Sequence, residues 1–291
     1  MPLFVMVSGA LLLTSDRADA VSSFYRRRLW RIGWPLVVWT VVYLVVGHLR
    51  RDHPANFAEA RYLVLAGIPY FHMYFVYLIA GLYLVAPFLR PLTRQSDDRL
   101  VLTAAAVFLG IGMVDLLIKV WGGIGAVNAV TRFLPYVGYF LAGAALVKVS
   151  ATRTRLTAAV LTVVLGIAVT AIGTALLTST LGLGRGRYLY EYLSVTTVPI
   201  TLAIFLLLRW SDVSMRRAGP AVLKGLSRIA ALTFGIYLVH PLMLIVLREV
   251  GIYSRAFFVP LAVGATVIAA FAMSGVVVAV LQRLPAVRRV V

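Results

Sequence analysis

Two arginines three residues apart, Arg28 and Arg31, and two histidines set in apolar sequence, His72 and His240, are the residues of this chain best suited to chemistry. On a helix, positions three apart share a face. Arg28 and Arg31 would then present two guanidinium forks together, and such forks grip phosphate oxygens in pairs where lysine offers a point charge. Histidine is the usual base near neutral pH and can take a proton from a hydroxyl. Plainer readings stand beside these. Arg31 can snorkel to a membrane surface, and each histidine can be a neutral, hydrogen-bonded packing residue. His48 and His53 lie beside Arg50, Arg51 and Asp52 and read as solvated loop residues.

The elements that must position these groups are apolar. Nine runs follow one another, at about residues 1–14, 29–47, 68–89, 100–118, 130–147, 156–178, 192–208, 229–247 and 257–281. Most match the ~17–25 residues that a helix needs to cross the hydrocarbon core. Hydrophobic residues make up 62% of the chain and charged residues 13%, against ~25% charged in soluble domains. The expected fold is therefore all-α, a polytopic transmembrane bundle of about nine spans forming one integral membrane domain over residues 1–291. Cys is absent, which removes disulfides and thiolate metal sites. Neither a P-loop nor an H-E-x-x-H motif occurs, and no metal site is expected.

The net charge is +18, yet its distribution argues against nucleic acid. Of 28 Lys and Arg, 18 lie in the first, third, fifth and seventh gaps and the C-terminal tail, and only eight in the other four gaps. That asymmetry is the positive-inside pattern, and it puts the C-terminus in the cytoplasm. Trp30, Trp34, Trp121 and Trp210 fall near run ends, as interfacial aromatic residues do.

In this orientation His72 and His240 both lie in the outer half of the membrane, and ionisable residues at such depth usually face a bundle interior or cavity. Pro241 is expected to break the helix near His240. Acidic groups near outer ends are Asp115, Glu191 and Glu249. Any of them can orient a histidine, although Glu191 and Glu249 read more simply as solvated helix ends. Asp115 lies three residues before its run ends, and Arg132 is its expected partner, because an unpaired carboxylate in a membrane is costly. Ser8 and Gly9 suit a close helix contact. Residues 182–186 (GLGRG) read as an outer turn.

Three segments resemble a known family. Residues 4–13 (FVMVSGALLL) followed by 24–35 (FYRRRLWRIGWP), then 70–90 (YFHMYFVYLIAGLYLVAPFLR), then 233–241 (TFGIYLVHP) are similar, in order, to landmarks of the acyltransferase 3 family. The subgroup most similar is that of surface-polysaccharide O-acyltransferases made of the membrane domain alone. The resemblance implies ten helices in the full family pattern, with both termini cytoplasmic. It implies transfer of an acyl group, usually acetyl, from a cytoplasmic acyl-CoA to a hydroxyl of a glycan or lipid-linked sugar. The family's RxxR motif maps onto Arg28 and Arg31, which would bind the donor, with no bound cofactor besides this co-substrate. Its catalytic histidine belongs to the first transmembrane helix and has no counterpart here. The chain is therefore expected to lack that helix, through an upstream start-site error or as an inactive remnant, which leaves His72, His240 and Asp115 as candidate catalytic or supporting groups.

A transporter or flippase for a polar or lipid-linked solute is the competing class. Intramembrane His, Asp and Arg would serve it, and prolines at 69, 87, 135, 199 and 241 could break helices around a midplane site. No internal repeat relates the two halves of the chain, and the three ordered landmarks favour the enzyme.

Overall fold

A computed structural model describes residues 1–15, 20–50, 56–125, 128–215, 219–252, 259–285, 287, 288 and 290, with backbone alone at 212–215 and 260. His53, Arg51 and Asp52 lie outside them. Among the described residues all regular structure is helical: α1 Pro2–Leu13, α2 Val21–Arg28, α3 Trp34–Leu49, α4 Phe57–Ala66, α5 Tyr74–Gln95, α6 Asp98–Gly122, α7 Val137–Leu146, α8 Arg153–Gly186, α9 Thr197–Met215, α10 Pro220–Glu249 and α11 Val259–Leu281. Each of the nine apolar runs holds one of these helices. Six helical segments are long and apolar enough to cross a membrane, while Pro2–Leu13, Leu134–Leu146 and Thr197–Ser211 are apolar but shorter. α4 is an additional helix that lies in a polar gap. Asn56 caps its start by accepting from the Glu59 N–H, and Gly67, at φ 68°, ends it.

The chain forms two compact units, Met1–Tyr25 with Asn56–Met215, and Arg26–Ala55 with Arg216–Val291. In the first unit α7 is the core: every residue from Val137 to Ala145 is buried. Its composition explains how. Glycine lets helix backbones approach closely where lipid gives no hydrophobic drive for association. A Cβ on Gly143 would lie 1.9 Å from the Met6 carbonyl oxygen of α1, and one on Gly9 would lie 1.9 Å from that of Phe140. On its other side Gly138 meets α6, where a Cβ would sit 2.6 Å from the Leu109 nitrogen. The expected small-residue contact at Gly9 is therefore real. α8 presents an apolar outer surface, with Leu161, Leu165, Ile172 and Leu176 all exposed. It kinks at Gly182, whose φ of 77° only glycine adopts readily, in the segment read as a turn.

Helix C-termini leave carbonyls without intrahelical donors, which is costly in hydrocarbon. In the first unit, side chains from neighbouring segments close them. Arg90 Nε donates to the Leu12 carbonyl at 2.9 Å, Thr93 Oγ1 to Leu13 at 3.1 Å, and Arg94 to Ser15. Arg132 donates to Ala66 at the end of α4. Arg209 Nε reaches the Val147 carbonyl at 3.2 Å, and Trp210 Nε1 that of Val149 at 3.0 Å, just past α7. Cations are favoured at these negative helix ends. Four arginines that sequence alone reads as topology charges or as a carboxylate's partner thus hold helices together.

In the second unit α10 packs on α11. α3 runs parallel to α10: Tyr43 Oη donates to the Leu238 carbonyl at 2.6 Å, and Arg50 pairs with Glu249 at 2.8 Å where both helices end. Glu249 is thus an exposed, paired helix end. Trp39 Nε1 donates to the Val290 carbonyl at 2.7 Å and pins the C-terminal segment to α3. The Tyr43 bond is buried, so Tyr43→Phe is expected to cost about 1 kcal/mol. A lowered thermal unfolding midpoint of the detergent-solubilised protein would register it, and an unchanged midpoint would deny the bond any role.

Candidate functional site

The site of the second unit begins with a proline. Pro35 has no N–H to return to the carbonyl four residues back, and its ring crowds that carbonyl. The backbone widens before it into a π-helical segment, Leu29–Gly33, in which the Trp34 N–H reaches the Leu29 carbonyl. Such segments are rare and collect at functional sites. Arg31 lies with Arg27, four residues back, on the wall of a cavity of about 520 Å³, and Arg28 is not among the lining residues. Arg28 is half-buried, with its Nε out of solvent. The remaining walls are Trp30 and Pro35 from the same segment, Ala231 and Phe234 from α10, and Arg288 from the C-terminal segment.

This volume falls within the ~300–1,000 Å³ of small-molecule sites. Three guanidinium groups suit an anion with several phosphates, and Trp30 and Phe234 offer aromatic surface. On spacing alone Arg27 and Arg28 are equally placed to share a face with Arg31, at four and three residues; the structure selects Arg27. Phe234, six residues before His240, belonged to a recognised segment, whereas nothing near Arg288 in sequence marks it.

His240 lies on α10, six residues beyond Phe234, which is ~9 Å along a helix. α10 runs unbroken from Pro220 to Glu249 through Pro241, so the expected break is absent. Pro241 still leaves the carbonyl of Tyr237 without its usual donor, and His240 Nδ1 lies 2.7 Å from that oxygen. A carbonyl only accepts, so Nδ1 carries the proton. In the neutral form of this tautomer the lone pair is on Nε2, the arrangement that a general base needs.

His72 lies in the first unit, in the turn before α5 rather than on the helix. It is 4% exposed and sits at aromatic contact distance from Tyr70 and Phe71, 5.9 and 5.4 Å between ring centres. Asp115 is exposed on α6, one turn before Lys119. The structure does not join it to Arg132, whose guanidinium donates to Ala66 at 2.5 Å and lies 5.9 Å from the centre of the Tyr74 ring. His48 and Glu191 are exposed, as expected of solvated ends. Among the described residues no group of three or more His, Asp or Glu is placed to hold a metal ion.

No curated protein and no solved structure matches the chain. A family described as an acyltransferase domain matches it over residues 1–275, nearly its whole length. That stretch contains all three landmark segments, Arg27, Arg28 and Arg31, Phe234 and His240. With six helices among the described residues long and apolar enough to cross a membrane, the chain belongs to the acyltransferase 3 family of membrane acyltransferases.

Proposed function

We propose that this protein is a cell-membrane O-acyltransferase that moves an acyl group, acetyl being the expected one, from cytoplasmic acyl-CoA to a hydroxyl of a surface polysaccharide or lipid-linked sugar. The observation that carries this reading is the arginine-walled cavity with a histidine farther along α10 whose Nδ1 contacts the Tyr237 carbonyl. Arg31 binds donor phosphates, and Arg28 supports it from within the helix. His240 Nε2 takes the proton of the acceptor hydroxyl as its oxygen attacks the thioester carbonyl. The new C–O bond forms, the C–S bond breaks, and the imidazolium returns the proton to the departing thiolate.

Nine membrane passages and a cytoplasmic C-terminus complete the proposed arrangement of a single membrane domain. The charge asymmetry supports it, as do the parallel α3 and α10, whose arginine-rich ends lie together, away from the Arg50–Glu249 pair.

Membranes from cells expressing the chain, given acetyl-CoA labelled in the acetyl group, are expected to pass label into glycan. Uptake of a polar solute without labelling would support the transport reading instead.

A further inference from the structure

Arg288 lies beyond residue 275, where the family match ends, yet it forms one wall of the cavity. Its position is built rather than incidental. The Arg288 N–H donates to the Leu284 carbonyl at 2.9 Å, the Val290 N–H to that of Val287 at 2.9 Å, and Trp39 holds the Val290 carbonyl in a buried bond. The C-terminal segment is thus fastened to α3 two residues after Arg288. The other arginines contrast with it: Arg90, Arg94, Arg132 and Arg209 are spent on helix-end carbonyls.

We infer that the C-terminal segment completes the donor site. Arg288, with Arg27 and Arg31, cradles the phosphates of a nucleotide thioester, while Trp30 and Phe234 flank its base. This inference rests on the acyl-CoA reading above and specifies its nucleotide end. Three phosphate groups, two in the diphosphate and one on the ribose, give such a ligand enough anionic positions for three forks. Aromatic side chains supply stacking surface for a purine, as they do for bases in nucleic-acid sites. The same cavity chemistry would accept the phosphate of an anionic lipid, and the test separates the two sources.

The full chain, in nanodiscs of phosphatidylcholine, is titrated with CoA, and separately exposed to phosphatidylglycerol to measure lipid enrichment. Arg288→Gln is expected to weaken CoA binding about tenfold, the loss of one charge-assisted contact. Arg288→Lys keeps the charge without the fork and should fall in between. Arg248→Gln, at the far end of α10, should bind as wild type does. Thermal midpoints of all variants establish that they fold, and Lys at 288 carries the test if Gln does not. Unchanged CoA affinity in Arg288→Gln or in Arg288→Lys would overturn the role of the C-terminal segment and leave the acyl-CoA reading standing. Wild type that ignores CoA but enriches phosphatidylglycerol through Arg288 would make this a lipid site and overturn both.

Discussion

Gly143→Leu is expected to prevent stable folding of the first unit. The position admits no side chain, because a Cβ would already lie 1.9 Å from the Met6 carbonyl oxygen and 2.7 Å from its Cα. Those are backbone atoms of α1, so no rotamer change relieves the clash. α1 and α7 would have to separate, losing the contact on which the buried residues of both helices depend. Overpacking of yielding cores costs ~1–3 kcal/mol. Here the cost should exceed ~4 kcal/mol, the range reached by few single substitutions and a large share of a domain's stability. Gly143→Ala should already be damaging. Gly264→Ala is the matched control on α11, since nothing lies within 4 Å of its Cβ position and alanine is the better helix former. The yield of monodisperse protein after detergent extraction reads the effect. A Gly143→Leu protein that extracts and melts like wild type would show that α1 and α7 do not meet as described.

The second large effect concerns His240. Loss of a general base typically costs ~10²–10⁴ in rate, and His240→Ala should lower acyl transfer by that order. Alanine also frees the Tyr237 carbonyl, so its effect alone mixes structure with chemistry. His240→Asn separates them, because the asparagine amide nitrogen stands near the place of Nδ1 and can keep the bond to Tyr237. The Asn variant should keep the wild-type melting temperature and still lose transfer. If it transfers acyl groups at the wild-type rate, His240 is the packing histidine that the plainer reading describes.

Much of this architecture is legible in the sequence, for physical reasons. An apolar run long enough to cross hydrocarbon has few alternatives to a helix, and each of the nine runs contains one. Gly9 and Gly182 declared themselves through residue type, one for close packing and one for a turn. What sequence conceals is the wiring between segments. Arg132 reads as the partner of Asp115 by depth alone, yet it serves the end of α4, a helix with too weak an apolar signal to be noticed. Arg90 lies in a recognised landmark, but its bond to Leu12 spans 78 residues.

The candidate site shows the same division. His240 and Arg31 were readable from type and depth. The choice of Arg27 over Arg28 on the cavity wall is not encoded in spacing, since positions three and four apart both share a helix face, and only the folded structure separates them. Pro241 misled, because α10 continues through it. A proline inside a membrane helix is tolerated when another group satisfies the carbonyl that it frees. Here that group is the neighbouring imidazole.

The central claim is that a donor with phosphates enters at the arginine end of α3 and α10 and gives its acyl group to a sugar hydroxyl. Sealed inside-out membrane vesicles carrying the protein and its unacylated glycan test it most directly, because they expose the cytoplasmic face to added radiolabelled acetyl-CoA. Label should appear in the glycan with the wild-type chain and fall at least about tenfold with Arg31→Ala, given the worth of one charge-assisted phosphate contact. Equal labelling by wild type and Arg31→Ala, or labelling obtained only when donor reaches the opposite face, would contradict it.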